Sequence, residues 1–201
     1  MIRPIVIYGD PVLRVKCKPV TEITDEIHTL FQDMLETMRD ARGLGIAAPQ
    51  VGVPIQMAIV DISHDPECVS YFRIDGEDVA VENYMPLVFF NPKIDLGKDK
   101  QTGEEGCLSI PHLREKVRRA DGVKVTYMTI EGKTQTLESD GLLSRALQHE
   151  IDHLNGILFI DRLSAAAKIG MRRKMKRLME EWEDDRRAGR KIGGEPEEDE
   201  I

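Results

Sequence analysis

The sequence of 201 residues is poor in aromatic side chains and has no long hydrophobic run. Phe, Trp and Tyr make up 5% of the chain, so aliphatic residues and nine methionines must fill the core. A transmembrane helix needs about 20 consecutive apolar residues, and no stretch approaches that length. The first residues also lack the apolar segment and the cleavage site of a secretory signal. We therefore expect a cytoplasmic protein with no membrane partner.

Cysteine is scarce as well. Cys17, Cys68 and Cys107 are odd in number and widely spaced, which argues against a disulfide framework and leaves each as buried filler or a reactive thiol. The net charge of -8 does not favour general binding to nucleic acid, including DNA. With 41% hydrophobic and 32% charged residues, the chain has the composition of a globular protein with one substantial core.

The most informative stretch is residues 148–154, Gln-His-Glu-Ile-Asp-His-Leu, which contains the pattern His-Glu-x-x-His. In a helix, His149 and His153 lie one turn apart on one face, where two imidazoles can hold a single metal ion. Glu150 lies about 100° further round, beside such a metal rather than on it, as a general base requires. Two ordinary histidines and a surface glutamate would give the same pattern, so a third ligand must decide.

The limits of this helix are well marked. Ser139 and Asp140 are candidate N-caps, and Gly156 suits the left-handed position that follows a helix. Apolar residues nearly surround the two histidines, so we expect the helix to be buried.

The rest of the chain predicts an α+β fold. A helix opens at Thr24-Asp25 and ends near Gly43, and strands are expected at 55–61, 86–91, 117–130 and 134–137. Residues 62–85 form a polar excursion or a small hairpin, and residues 98–103 a charged loop. We predict a catalytic domain over 1–163, a C-terminal helix over 164–187 that starts at Ser164, and a disordered acidic tail over 188–201.

Cys107 is the best candidate for the third ligand. A thiolate binds borderline and soft divalent metals strongly, and the neighbouring Gly106 permits close backbone approach. Cys17 and Cys68 have no comparable setting. The remaining histidines are placed on an exposed helix face or beside loops: His28, His64 and His112.

Three stretches in order resemble the signature motifs of bacterial peptide deformylases. They are residues 43–50 (Gly-Leu-Gly-Ile-Ala-Ala-Pro-Gln), 105–109 (Glu-Gly-Cys-Leu-Ser) and 148–154. The likeness extends from the opening residues to about Leu163. It departs at residues 62–85, which are longer than in the compact members of the family.

The resemblance implies an enzyme that removes the formyl group from the N-terminal methionine of nascent polypeptides. It implies sheets wrapped around a central helix that carries the histidines, and Cys107, His149 and His153 as metal ligands. Ferrous iron is the metal expected in cells, and zinc, nickel or cobalt can occupy the site.

Further roles follow from the same resemblance. Glu150 is the general base, and the Gln50 side-chain amide and the Leu108 backbone N–H stabilise the oxyanion. The substrate contacts are expected from a larger set, namely Leu44, Gly45, Glu105, Gly106, Arg114, Leu142 and Ala146. Leu142 and Ala146 are also compatible with plain core packing, and Arg114 with a salt bridge.

Two other functions are compatible with the histidine pattern. A zinc metallopeptidase would use a third ligand downstream of the helix, where Asp161 is the nearby candidate. A metal-binding protein without catalysis would have no need of Glu150 or Gln50. Separately, six basic residues lie between Lys168 and Arg177, and by family analogy this helix can dock on the ribosome, although a solvated helix face explains them equally well.

Overall fold

The computed structural model describes residues 1–187, and the predicted acidic tail at 188–201 lies outside the described residues. This part of the chain forms three α-helices, α1 (Asp25–Asp40), α2 (Gly141–Leu154) and α3 (Ala165–Arg187). It also forms nine strands: β1 (Gly45–Ala47), β2 (Met57–Val60), β3 (Phe72–Ile74), β4 (Glu77–Asp78), β5 (Leu87–Leu96), β6 (Lys100–Cys107), β7 (Ile110–Ala120), β8 (Val123–Met128) and β9 (Thr134–Ser139).

Seven strands form one antiparallel sheet in the order β1-β2-β5-β8-β9-β3-β4, and β6 pairs with β7 in a separate hairpin. Helix α2 contacts β1 and β2 of the large sheet and β7 of the hairpin. The two sheets therefore enclose the histidine helix. This arrangement confirms the predicted α+β class and the central position of that helix.

Strand β2 shows why the large sheet is apolar on both faces. Ala58 and Val60 belong to the core cluster that contains α2, whereas Met57 and Ile59 belong to the cluster that contains α1. Side chains alternate between the faces of a strand. Because a helix covers each face, the sequence Met-Ala-Ile-Val is fully buried.

The start of α2 differs from the prediction. Asp140 occupies the N-cap position, but its side chain makes no cap hydrogen bond. Its Oδ1 instead accepts the backbone N–H of Ser70 at 2.7 Å, and the Ser139 hydroxyl donates to the Tyr71 carbonyl at 3.1 Å. The two residues therefore fasten the 62–85 excursion to the helix. At the other end, Gly156 has a φ of 71°, as expected.

Two predictions of secondary structure were wrong. Residues 98–103 do not form a loop, because β6 begins at Lys100 and its exposed face accepts charged side chains. Residues 117–130 do not form one strand, because the chain turns at Asp121-Gly122 between β7 and β8. The excursion at 62–85 does contain the expected hairpin, β3 and β4, and β3 pairs with β9 in the large sheet.

Helix α3 packs on a third cluster, which contains Leu113 and Val117 of β7 together with Leu158 and Phe159. Met171 of α3 is buried in this cluster, and Trp182 is buried against Gly9. The backbone N–H of Ala167 donates to the Ser164 hydroxyl at 3.2 Å, which confirms the predicted start. The division at residue 163 stays a prediction. Among residues 1–187, no helix has the length and apolar character of a membrane span.

Candidate metal centre and active site

Three candidate ligands meet between α2 and the end of β6. The imidazoles of His149 and His153 lie one helical turn apart, with ring centroids separated by 5.1 Å. Cys107 Sγ is 3.3 Å from His153 Nε2. One donor atom from each of the three residues lies within 4.8 Å of the others. The tertiary structure thus brings together the candidate ligands that were selected from the sequence.

Cys107 reaches this point because the hairpin changes register. Gly106 pairs with Arg114, but the next residue, Cys107, pairs with Ile110. The short turn at Leu108-Ser109 follows directly and places the thiol on the side of the hairpin that faces α2. Such an irregularity is a common way to aim a side chain at a site.

The other candidate ligands lie elsewhere. Cys17 is buried in the core, where desolvation raises its pKa to about 11, and Cys68 is exposed. Asp161 forms an ion pair with Arg14 and accepts the backbone N–H of Leu158 at 2.8 Å. Within the described residues, the side chain that joins the two histidines is Cys107 and not Asp161, which argues against the peptidase alternative.

The donor set suits a divalent transition metal. A tetrahedral site with metal–sulfur and metal–nitrogen bonds of ordinary length places S and N about 3.5 Å apart, close to the 3.3 Å between Cys107 and His153. His149 directs Nδ1 away to Glu105, at 3.1 Å from Oε2, which leaves its other nitrogen for the metal. A thiolate with two imidazoles is a donor set used by zinc and iron.

Glu150 lies beside the three ligands. Its side chain is buried, and Oε2 has no hydrogen-bond partner within the described residues. Burial raises the pKa of Glu150 to about 7, because desolvation disfavours the charged form. The carboxylate also lies against Gly45, where an added Cβ would be 2.5 Å from Oε1. A side chain at residue 45 would displace this buried carboxylate, which the glycine of the first motif avoids.

Gln50 presents its amide nitrogen to the same place. Its Oε1 accepts the backbone N–H of Ala47 at 2.8 Å, which determines the orientation of the amide. Its Nε2 then donates to Ser109 Oγ at 3.2 Å and to Cys107 Sγ at 3.5 Å. An N–H donor therefore stands beside the candidate ligands, and Gln50 itself is buried.

Behind His149 lies a buried network of charges. Glu105 accepts two hydrogen bonds of 2.9 Å from Arg119 and one of 2.7 Å from Arg145. Burial by itself would raise the pKa of Glu105, but the hydrogen bonds from Arg119 and His149 outweigh it and lower that pKa to about 2. Arg119 also pairs with Asp152, which Arg162 contacts at 2.6 Å. Glu105 is thus held ionised against the histidine.

Three further residues of the site were not predicted from the sequence: Arg119, Arg145 and Asp152. The alternation of β7 contained a signal, because Leu113, Val117 and Arg119 share the buried face of the strand. An arginine at a buried position requires a charged partner. The carboxylate of Glu105, expected at the substrate, is that partner.

The remaining predicted substrate residues lie around the ligands. Leu44 is 40% exposed, and its carbonyl accepts the Asp61 N–H at 2.9 Å. Because the peptide groups of successive residues in an antiparallel strand point to opposite edges, those of Gly45 point to the open edge of β1. Leu142 and Ala146 pack in the cluster on the α2 side of the sheet. Two further contacts involve glycines of the motifs: Leu108 lies against Gly43, and Arg114 lies over Gly106.

Comparisons with known proteins agree with this site. The family model described as polypeptide deformylase matches residues 2–169. A peptide deformylase from Brucella suis is 42% identical over 192 residues, which cover 95% of this chain and 98% of the relative. One from Agrobacterium fabrum is 46% identical over 164 residues, which cover 81% of this chain and 88% of the relative.

Solved structures agree as well. A peptide deformylase from Legionella pneumophila matches with a TM-score of 0.72 and 38% identity, covering 88% of this chain and 95% of that one. A plant peptide deformylase matches with a TM-score of 0.78 and 30% identity, covering 91% and 92%. The chain belongs to the polypeptide deformylase family.

Proposed function

We propose that this protein hydrolyses the N-formyl group of formylmethionine at the N-terminus of nascent polypeptides, and that the site described above carries out the reaction. The observation that supports this most strongly is the convergence of Cys107, His149 and His153 beside a buried carboxylate and an amide donor. Cys107, His149 and His153 would hold one divalent metal ion. When bound, such an ion lowers the pKa of a water molecule and so supplies a nucleophile near neutral pH.

Glu150 is the proposed general base. Its Oε2 has no hydrogen-bond partner within residues 1–187, so it is free to accept a proton from the attacking water. A pKa near neutrality also suits the return of that proton to the departing amine of methionine. Gly45 confines the carboxylate from the opposite side.

Gln50 and Leu108 are the proposed oxyanion donors. The Gln50 amide is fixed through Ala47 and Ser109, so its N–H needs no reorientation as charge develops on the formyl oxygen. The Leu108 N–H lies in the turn that follows Cys107, next to the candidate ligand. Two fixed donors would stabilise the oxyanion more than the neutral carbonyl, and this difference accelerates the reaction.

The substrate is proposed to bind along β1. The open edge of β1 offers the peptide groups of Gly45 to an extended chain. Leu142 and Ala146 are proposed to contact the methionine side chain, and Gly106 and Arg114 the peptide that follows it. Glu105 acts in this proposal through His149, by holding the imidazole in position.

We propose Fe²⁺ as the metal in cells and the cytoplasm as the compartment, where a free thiolate such as Cys107 is kept reduced. The test is deformylation of formyl-Met-Ala-Ser by protein purified without oxygen and loaded with Fe²⁺, Ni²⁺ or Zn²⁺, with an internal peptide as control substrate. The iron form should be the more active one on the formyl peptide and should lose activity in air, because ferrous iron and its thiolate ligand are oxidised. Hydrolysis of the internal peptide alone would contradict the proposal.

A second proposal concerns the ribosome. Helix α3 exposes six basic residues over one stretch: Lys168, Arg172, Arg173, Lys174, Lys176 and Arg177. Deletion of the helix would remove Met171 and Trp182 from the core, so neutral substitutions are the sharper test. Arg172→Gln, Arg173→Gln and Lys174→Gln together should weaken co-sedimentation with ribosomes and retain activity on a formyl tripeptide. Undiminished co-sedimentation would refute this role.

A further inference from the structure

The outward face of the β6–β7 hairpin carries a row of cations. In β7 the odd-numbered Leu113, Val117 and Arg119 are buried, so the even-numbered residues point away from α2. Arg114, Lys116 and Arg118 are all exposed on this outward face. Alternate residues of a strand repeat at about 7 Å, so the three cations form a regular row roughly 14 Å long.

These three cations have no carboxylate partner of their own within the described residues. No ion pair joins any of them to a described side chain, unlike Arg119 on the opposite face. The strand register places Gly106 opposite Arg114, Glu104 opposite Lys116 and Thr102 opposite Arg118. Glu104 is the one acidic side chain at these cross-strand positions, so the row keeps a net positive charge.

The row begins at the candidate active site. An added Cβ at Gly106 would be 3.3 Å from the Cγ of Arg114, so the arginine crosses the hairpin over the glycine next to Cys107. The second edge of β6 carries no strand, because the sheet contains β6 and β7 alone within the described chain. Gly106 and Arg114 are the proposed contacts of the peptide that follows methionine, so the downstream part of the substrate would pass the start of the row.

We propose that Arg114, Lys116 and Arg118 bind acidic side chains in the downstream part of the substrate, at about its fourth to sixth residues. This proposal rests on the proposed function and adds a charge preference to it. An extended peptide presents every second side chain on one face with the same repeat as β7, so successive carboxylates can face successive cations.

A preference for acidic peptides would be opposite to the preference that the net charge of the protein favours. The protein carries a net charge of -8, and its overall field would favour basic peptides. A preference for acidic peptides requires a local positive surface near the path of the substrate. The hairpin supplies such a surface, and screening by salt should abolish its effect.

The test compares formyl-Met-Ala-Ser extended by three Glu, three Gln or three Lys residues. For the wild-type protein at low ionic strength, we expect kcat/KM to be roughly 3–10-fold higher for the Glu peptide than for the Lys peptide. The ratio should fall towards one at about 1 M salt, where the screening length is only about 3 Å. Equal values for the three peptides at low salt would overturn the proposal.

Charge reversal tests whether the row is responsible. Lys116→Glu with Arg118→Glu should invert the preference between the Glu and Lys peptides. The matched control is Lys93→Glu with Lys133→Glu, two exposed lysines of the large sheet and its β8–β9 turn, which changes the net charge equally. An equal change in both double variants, or none in the first, would contradict the proposal. Absence of activity on the Gln peptide in the wild-type protein would instead contradict the proposed function.

Discussion

Helices α2 and α3 use similar residue types in opposite ways. In α2, twelve of the 14 residues are buried, and they include Arg145, Glu150 and both histidines. In α3, the described charged side chains lie at the surface, and some of them pair within the helix, as Arg177 does with Glu181 at 2.7 Å. A buried polar group needs a partner or a function, whereas an exposed one is solvated by water.

This difference explains which sequence signals are specific. Each polar residue of a buried helix needs a partner or a function, so His149, Glu150 and His153 together predict a metal-binding or catalytic site. The six basic residues of α3 are exposed to water, and Lys176 and Arg177 also pair with carboxylates, so their presence by itself predicts no function. The following predictions test the contrast, beginning with the largest expected effect.

Glu150→Gln should have the largest effect on turnover. The amide retains the shape of the side chain but cannot take a proton, and acid–base groups typically contribute about 10²–10⁴-fold. We expect kcat to fall by that factor while metal content, measured by elemental analysis, stays at the wild-type level. Near-normal kcat in the metal-loaded variant would exclude Glu150 as the base.

Gln50→Ala should lower kcat by about 10²–10³-fold, as loss of an oxyanion donor does in other enzymes. The amide contacts the formyl oxygen most strongly in the transition state, so kcat should change more than KM. Steady-state kinetics on formyl-Met-Ala-Ser measure both. A raised KM with unchanged kcat would show that Gln50 binds the substrate in its ground state instead.

Arg119→Met should weaken metal binding by about 10–100-fold, the usual effect of losing a residue that supports a ligand. It leaves Glu105 and Asp152 buried with fewer partners, and breaking a buried pair costs about 3–5 kcal/mol. Competition with a metal chelator and denaturant unfolding of the metal-free protein measure the two effects. Arg73→Gln, which breaks an exposed pair with Asp78, is the control and should change neither.

The effect of Arg119→Met on the unfolding free energy should depend on pH. The folded pKa of Glu105 is about 2, below its ordinary value of 4.5. Its stabilising contribution is therefore complete above about pH 5 and is lost as pH falls towards 2. The difference in unfolding free energy between wild-type protein and Arg119→Met should shrink over that range. A constant difference from pH 7 to pH 3 would contradict this account.

Lys176→Ala with Arg177→Ala should have the smallest effect. Exposed i,i+4 pairs within a helix contribute about 0.3–0.5 kcal/mol each, so the loss of two pairs should lower Tm by no more than about 4 °C. Activity on a formyl tripeptide should be unchanged. A larger fall in Tm would mean that α3 depends on its surface pairs rather than on Met171 and Trp182.

Much of the fold and of the site could be predicted locally. Helix α1 and the end of α2 follow from periodicity and from Gly156, and the apolar β2 follows from its composition. The prediction for residues 98–103 failed because charged residues on the exposed face of β6 look like a loop. The break at Asp121-Gly122 was missed because apolar alternation continues on both sides of the turn.

The sequence by itself predicted the helix that carries His149 and His153, the thiol of Cys107 and the carboxylate of Glu150, because the three motifs occur together and in order. Only the tertiary structure decided how they are held. Arg119 and Arg145 meet Glu105 through contacts between residues far apart in the chain. Gly45 lies against Glu150 across a still larger separation in the chain. Such contacts depend on packing distances of a few ångströms, which no local pattern of residues encodes.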